Sequence, residues 1–392
     1  AGYRTRLATT IRDRTPSTIA MLAMRMARFF SMLELLLQVQ SAVLESADSV
    51  LLQVQSDTLF ARQSHDYDYD WTRQPKVCCS LKHGSSKNVP REAIHSVAFA
   101  IAPEKWSNTS SLRRDGAKTT MFSPLIPGQR DTYIYHTEDA YYTQYSKALF
   151  GITMRKGGWD CFRHYEIIMS GSIPFFISLE DMPNRTMTSF PRALAASAMA
   201  LPGVPSQAEV KESMAKGQVP QVNLEQFDMK AYMTIRNQLM EYAAQNLLTT
   251  SMASKVVPEK VVQKVLIHSF CPRVGYGQFV LVNGLVNNGH SVCARPEEML
   301  DTMRDDYMGA LHSAYGGGFS YARTVDHTKL GRDCHGPWDY YLLLAECDYD
   351  YPEPNNEDTR QAKTIVAINF NDIQSASLPV PAVATEYFVR EL

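Results

Sequence analysis

The chain has 392 residues, 45% of them hydrophobic and 20% charged. Those proportions are ordinary for a globular protein, and the length fits two domains with a core that needs no metal or disulfide staple. A net charge of −2 provides no global basic field, which argues against nucleic acid as a partner. The seven cysteines (Cys78, Cys79, Cys161, Cys271, Cys293, Cys334 and Cys347) are scattered, odd in number and free of any CxxC pair. Free thiols are therefore expected rather than a disulfide framework, and no zinc site.

The first 31 residues carry six arginines and one acid, Asp13, among many Ser and Thr. Such a segment reads either as an organelle-targeting stretch or as an amphipathic helix whose arginine stripe faces water. The start at Ala1 rather than Met fits a processed chain or part of a longer one. Residues 17–60 read as helix. The hexapeptide at Leu36–Ser41 recurs at Leu51–Ser56, and this spacing of about four turns puts both copies on one face. That face packs on the main body or receives a protein partner. No apolar run reaches the ~18 residues of a membrane span. Residues 62–92 read as a polar linker.

An α/β pattern follows. Strands are expected at Ser96–Ala102, over Tyr133 and Tyr135, and at Leu149–Met154, Ile173–Ile177, Val265–Ile267, Ser291–Ala294, Trp338–Ala345 and Thr364–Phe370. Helices are expected through Tyr141–Tyr145, at Trp159–Ser170 and Arg192–Ala200, along Tyr232–Tyr242, and over Gln278–Asn288 with its Asn288-Gly289 stop. Residues 248–260 join the two halves. Glu346–Asp358, with six acids and no base, reads as a solvated loop. Alternating strands and helices predict parallel sheets covered by helices. The expected organisation is an N-terminal helical region and linker over 1–92 and two Rossmann-like lobes over 93–257 and 258–392.

The chemistry concentrates in Arg155-Lys156-Gly157-Gly158-Trp159-Asp160, between a strand and a helix. Gly157 and Gly158 let backbone approach an anion, and the helix start offers unpaired N–H groups. Arg155 and Lys156 supply countercharge for a diphosphate. Trp159, Arg163 and Glu166, at spacings of four and three along the helix, share one face, and Glu166 is placed to accept ribose hydroxyls. Each residue also has a structural reading: a plain turn, a helix-surface Arg163 paired with Asp160, a core Trp159, a solvated Glu166.

The run from about Thr119 to Leu201 resembles the donor-binding lobe of exostosin-like glycosyltransferases of the two-Rossmann-lobe (GT-B) type. The resemblance rests on Arg155–Asp160, Arg163-His164-Tyr165-Glu166 and Gly171-Ser172-Ile173-Pro174-Phe175-Phe176, with support from Phe122–Gly128 and Pro183–Pro191. It implies that Arg155 or Lys156 binds the donor diphosphate, that Glu166 binds the ribose, and that the donor is a nucleotide sugar, with a UDP-sugar expected. Lys264–Ser269 with Gly275, Gly277 and Gly284–His290 resembles the opening of an acceptor-side lobe. Tyr315–Tyr321, with its three glycines, resembles a signature of related uncharacterised proteins, or is a flexible connection. An inverting transferase needs a general base, and His268, Glu346 and Asp372 stand at or beyond strand ends, where ligands meet such sheets. The donor-like region has no Asp-x-Asp, so no metal is implied, and the basic turn itself would stabilise the leaving diphosphate. The alternative is a catalytically silent scaffold or assembly subunit of the same fold. Asn108-Thr109-Ser110 and Asn184-Arg185-Thr186 are glycosylation sequons, and the cysteine pattern offers them no support.

Overall fold

The computed structural model describes residues 86–115, 118–270, 275–311, 314–331, 334–346, 351–372 and 379–391. All of these fall in one compact unit. The expected helices over 17–60 and their repeat lie outside the described residues. Of the expected linker, only its end is described, as strand β1 (Ser86–Asn88) and a single 3-10 turn at Arg91–Ala93. β1 pairs antiparallel with β10 (Pro379–Pro381).

Two parallel sheets organise the rest. The smaller has three strands, β3 (Thr120–Phe122), β4 (Ala148–Met154) and β5 (Ile173–Ile177), in that order. Its crossovers are α3 (Glu138–Ser146), capped by the Thr137 side chain, and α4 (Phe162–Met169). β4 is apolar and buried along nearly its whole length, as expected of a strand covered on both faces. α4 packs so closely on β4 that a Cβ at Gly151 would overlap Ile167.

The larger sheet runs in the order β2 (His95–Ser96), β11 (Glu386–Val389), β9 (Ala362–Asn369), β8 (Trp338–Ala345), β6 (Lys264–Ser269), β7 (Ser291–Arg295). Every neighbouring pair is parallel. The chain moves outward from β6 to β7, then returns to β8 on the other side of β6. The gap between β6 and β8 is thus a topological switch point, where such sheets bind ligands. Both sheets fit the expected Rossmann-like α/β class. Among the described residues no helix is long and apolar enough to cross a membrane.

Helices α5 (Arg192–Met199), α6 (Gln207–Ala215), α7 (Met229–Asn246) and α8 (Thr249–Val256) follow the small sheet, and α9 (Tyr276–Asn287) links β6 to β7. α7 buries Tyr232 and Leu239, with Ile235 and Tyr242 against the same core. That core is continuous between the sheets. The Phe162 ring lies 4.9 Å from Phe99 and 4.4 Å from Tyr276. α8 and α9 touch at Gly284, where a Cβ would overlap the Thr249 carbonyl oxygen and the Ala253 methyl. Backbone cannot yield as a side chain can, so Gly284→Ala is expected to cost about 1–3 kcal/mol by overpacking. A urea midpoint matching that of the parent protein would refute close contact there.

Several expectations are corrected. The stretch expected as a strand at Ser96–Ala102 meets β11 only at its start, where Ser96 pairs with Val389 and Val97 N–H donates to the Val389 carbonyl. Beyond Val97 the backbone turns to other partners. Phe99 N–H donates to Asp160, Ile101 N–H to the Leu247 carbonyl, and Thr249 N–H to the Ile101 carbonyl. Tyr133 and Tyr135 follow a 3-10 turn and form no strand. Glu346 and Asp358, expected on a solvated loop, are buried. Asp358 holds Arg295 by two hydrogen bonds and accepts one from the Trp338 indole, at the start of α10 (Asn356–Gln361). Finally, Cys293 and Cys334 form a disulfide across 41 positions. No short-range cysteine spacing announces it, because β7 and the segment before β8 become neighbours only in the folded sheet. Cys161 is a free thiol, and the other four cysteines lie outside the described residues.

Candidate functional site

β4 ends at Met154, and the basic glycine turn carries the chain to α4. The helix starts at Phe162, so Trp159 belongs to the turn and shares no helical face with Arg163 and Glu166. The cause is visible in the backbone. The N–H groups of Trp159 and Asp160 donate to the Glu391 carboxylate at 3.0 and 2.9 Å. The glycines do admit an anion, and it is the protein's own: a Cβ at Gly158 would strike Glu391, and one at Gly157 would strike Asp372.

Arg390, only 2% exposed, binds this cluster together. It donates to the carbonyls of Phe370 and Asp160, pairs with Asp372, and lies 4.5 Å over the Phe99 ring. The Asp160 carboxylate accepts from Phe99 N–H at 2.6 Å and from the Tyr165 hydroxyl at 2.8 Å. Burial pushes its pKa up to about 7, against the pull of Arg390 and of the Phe99 hydrogen bond. Three carboxylates therefore gather around one guanidinium, two of them deeply buried.

On α4, His164 is fully buried between Thr153 Oγ1 at 2.8 Å and the Trp159 carbonyl at 2.6 Å. A carbonyl only accepts, so Nε2 carries the proton and Nδ1 accepts from Thr153. Burial pushes this pKa down to about 3. The unfolded histidine titrates near ~6.5, so the folded state holds fewer protons between these limits. The stability His164 contributes is present above that unfolded value and is lost as pH falls toward 3. Asp160 and Glu346, both raised to about 7, work oppositely, since their contribution is present in acid and lost as pH rises through 7. His164→Gln, which still donates to Trp159, is therefore expected to unfold less steeply on acidification than the parent. Equal slopes in pH-dependent denaturation would remove His164 from the acid response.

The cations of the turn contrast with the satisfied acids. Arg163 donates through Nε to the Tyr133 hydroxyl at 3.1 Å, while among the described residues its buried Nη1 has no hydrogen-bond partner. Arg155 and Lys156 are exposed, and among the described residues neither side chain has an ion pair or hydrogen bond. Desolvation and the nearby Arg163 charge lower the Lys156 pKa. Glu166 accepts from the Tyr141 hydroxyl at 2.8 Å and from Ser320 at 2.7 Å, and burial raises its pKa. Ser320 follows Gly316, Gly317 and Gly318, all with left-handed φ. That conformation accounts for the glycines of Tyr315–Tyr321.

The larger sheet repeats the plugged turn. Glu346, beyond β8, accepts from Gly277 N–H at 2.6 Å and Gln278 N–H at 3.0 Å in the first turn of α9, occupying the space a Gly275 Cβ would need. Burial drives its pKa up to about 7, against those two hydrogen bonds. His268 is the penultimate residue of β6, with Nδ1 2.8 Å from the Tyr341 hydroxyl. Burial, helped by the Arg295 charge, lowers its pKa to about 4. Of the three base candidates, Asp372 reaches the basic turn, Glu346 plugs α9, and His268 stands apart beside Tyr341.

A cleft of about 590 Å³ opens beyond β5, lined by Phe175, Met182, Arg192, Met199 and Gln207 among others. Among the described residues, the side chains close enough to share a metal ion are Asp305, Asp306 and His327, all exposed. They are already engaged, His327 with Asp305 and Asp306 with Arg304. Sequence reasoning missed Arg390 and Glu391, whose only signal is a charged pair directly after the apolar Tyr387-Phe388-Val389. It also missed Tyr141 and Ser320 as partners of Glu166. No known family model, curated protein or solved structure matches the chain.

Proposed function

We propose that the β4–α4 turn binds the diphosphate of a nucleotide sugar, with a UDP-sugar as the expected donor. In this reading the chain is a metal-independent glycosyltransferase of the exostosin-like GT-B type, with an acceptor still to be identified. One observation carries the reading: among the described residues Arg155, Lys156 and Arg163 lie at the turn without an ion pair, and a buried Arg163 nitrogen is left without a hydrogen bond. An unpaired buried donor costs about 1–3 kcal/mol, and phosphate oxygens would satisfy it with charge-assisted bonds. The same cations would stabilise the diphosphate as it leaves. Asp372 is the base candidate favoured by position, because it is exposed and borders Gly157.

The alternative, a silent scaffold of the same fold, has its own supporting observation. Glu391 already occupies the turn's N–H groups, and Glu166 is held by Tyr141 and Ser320. Calorimetric titration with UDP and GDP separates the two. The parent chain is expected to bind UDP, and an Arg155→Ala/Lys156→Ala variant to bind at least about tenfold more weakly, from lost charged hydrogen bonds of roughly 1.5–3 kcal/mol each. No binding of either nucleotide at millimolar concentration supports the scaffold.

A further inference from the structure

Asn108 and Asn184 are two exposed asparagines whose neighbours are held in place. Asn108 ends α1 (Pro103–Asn108), and Asn184 sits in the turn that follows β5, on the rim of the cleft beyond that strand. Both are exposed, and neither carboxamide makes a hydrogen bond among the described residues. The carboxamides of Asn88 and Asn356 are likewise exposed and without a hydrogen bond among the described residues, whereas those of Asn246, Asn283, Asn287, Asn288 and Asn355 are engaged. The residues beside Asn108 and Asn184 are anchored. Thr109 is buried and bonds the Lys105 carbonyl. Arg185 donates to the carbonyls of Arg91 and Ile94, and Thr186 is fully buried. Each turn is thus held from within while its asparagine is left in solvent.

Among the chain's asparagines only these two begin an Asn-x-Ser/Thr sequon. A second observation bears on the compartment. Cys293 and Cys334 are disulfide-bonded, and disulfides persist in oxidising compartments. In eukaryotic cells the same lumenal space attaches glycans to such sequons. We infer that the chain folds in that space and carries N-linked glycans on Asn108 and Asn184. The reaction needs a lipid-diphosphate oligosaccharide and its transferase. The asparagine Nδ2 bonds to the anomeric carbon and loses one proton, while the carbon–oxygen bond to the lipid diphosphate breaks and that group departs with the electron pair. Because the Thr186 hydroxyl is buried in the folded protein, Asn184 is modified before its turn closes. This inference is independent of any nucleotide-sugar activity.

The test uses full-length protein isolated from the cells that make it, treated with peptide-N-glycosidase in heavy-oxygen water and digested without reduction. Heavy aspartate at 108 and 184, together with a peptide pair crosslinked through Cys293 and Cys334, is the expected result. Asn108→Gln and Asn184→Gln should each remove one glycan's mass, whereas Asn223→Gln, outside a sequon, should remove none. An unmodified Asn108 or Asn184 overturns the assignment at that position. Cys293 and Cys334 that alkylate without reductant overturn the compartment.

Discussion

Arg390→Met is expected to lower the unfolding free energy by about 3–5 kcal/mol, the usual cost of removing one partner from a buried ionic cluster. The methionine roughly preserves volume, so the loss comes from charge and hydrogen bonding. Asp160 and Glu391 would remain buried beside Trp159 without their guanidinium, and the Phe370 and Asp160 carbonyls would each lose a donor. The effect should spread to the turn, because Glu391 is the neighbour in sequence and holds the N–H groups of Trp159 and Asp160. Chemical denaturation of parent and variant measures it. Asp372→Asn, on the half-exposed side of the same cluster, serves as the milder comparison. A loss for Arg390→Met no larger than for Asp372→Asn would mean that the buried carboxylates are held neutral without Arg390.

Reducing the Cys293–Cys334 bond is expected to remove about 4 kcal/mol, because a loop of this length loses that much closure entropy in the unfolded chain. The two sulfurs are 41 positions apart. They tie β7, at the edge of the larger sheet, to the segment entering β8. Among the described residues β7 has a strand neighbour on one side only, β6, with a single bridge from Val292 to Leu330 on the other, so freeing it should expose the part of the sheet with least backup. Thiol reductant should therefore lower the denaturation midpoint of the parent. A Cys293→Ala/Cys334→Ala variant should start from the lower midpoint and not respond. A parent midpoint that ignores reductant would show that the bond adds nothing to stability.

The sequence by itself determined the parallel α/β class and most of its elements. Apolar runs such as Leu149–Phe150 and Val265-Leu266-Ile267 became buried strands, and the Tyr232–Tyr242 periodicity became α7. Gly171 and Gly289 ended helices in left-handed conformation. These signals are local. A strand that is covered on both faces, or a helix with one apolar face, is written in neighbouring residues whatever lies beyond them. The candidate site was legible only as a set of residue types: a basic glycine turn, a helix start and a carboxylate.

Tertiary structure decided what each of those residues touches. The backbone N–H of Trp159 meets a carboxylate 232 positions away, and Glu166 meets a hydroxyl 154 positions away. The disulfide and the burial of Glu346 and Asp358 have the same origin, side chains made neighbours by strand order in the larger sheet. A turn with free N–H groups and nearby positive charge attracts any anion, whether supplied by a ligand or by the chain itself. Which one arrives depends on where the last strand delivers Arg390 and Glu391, and no local pattern around residues 155–166 encodes that.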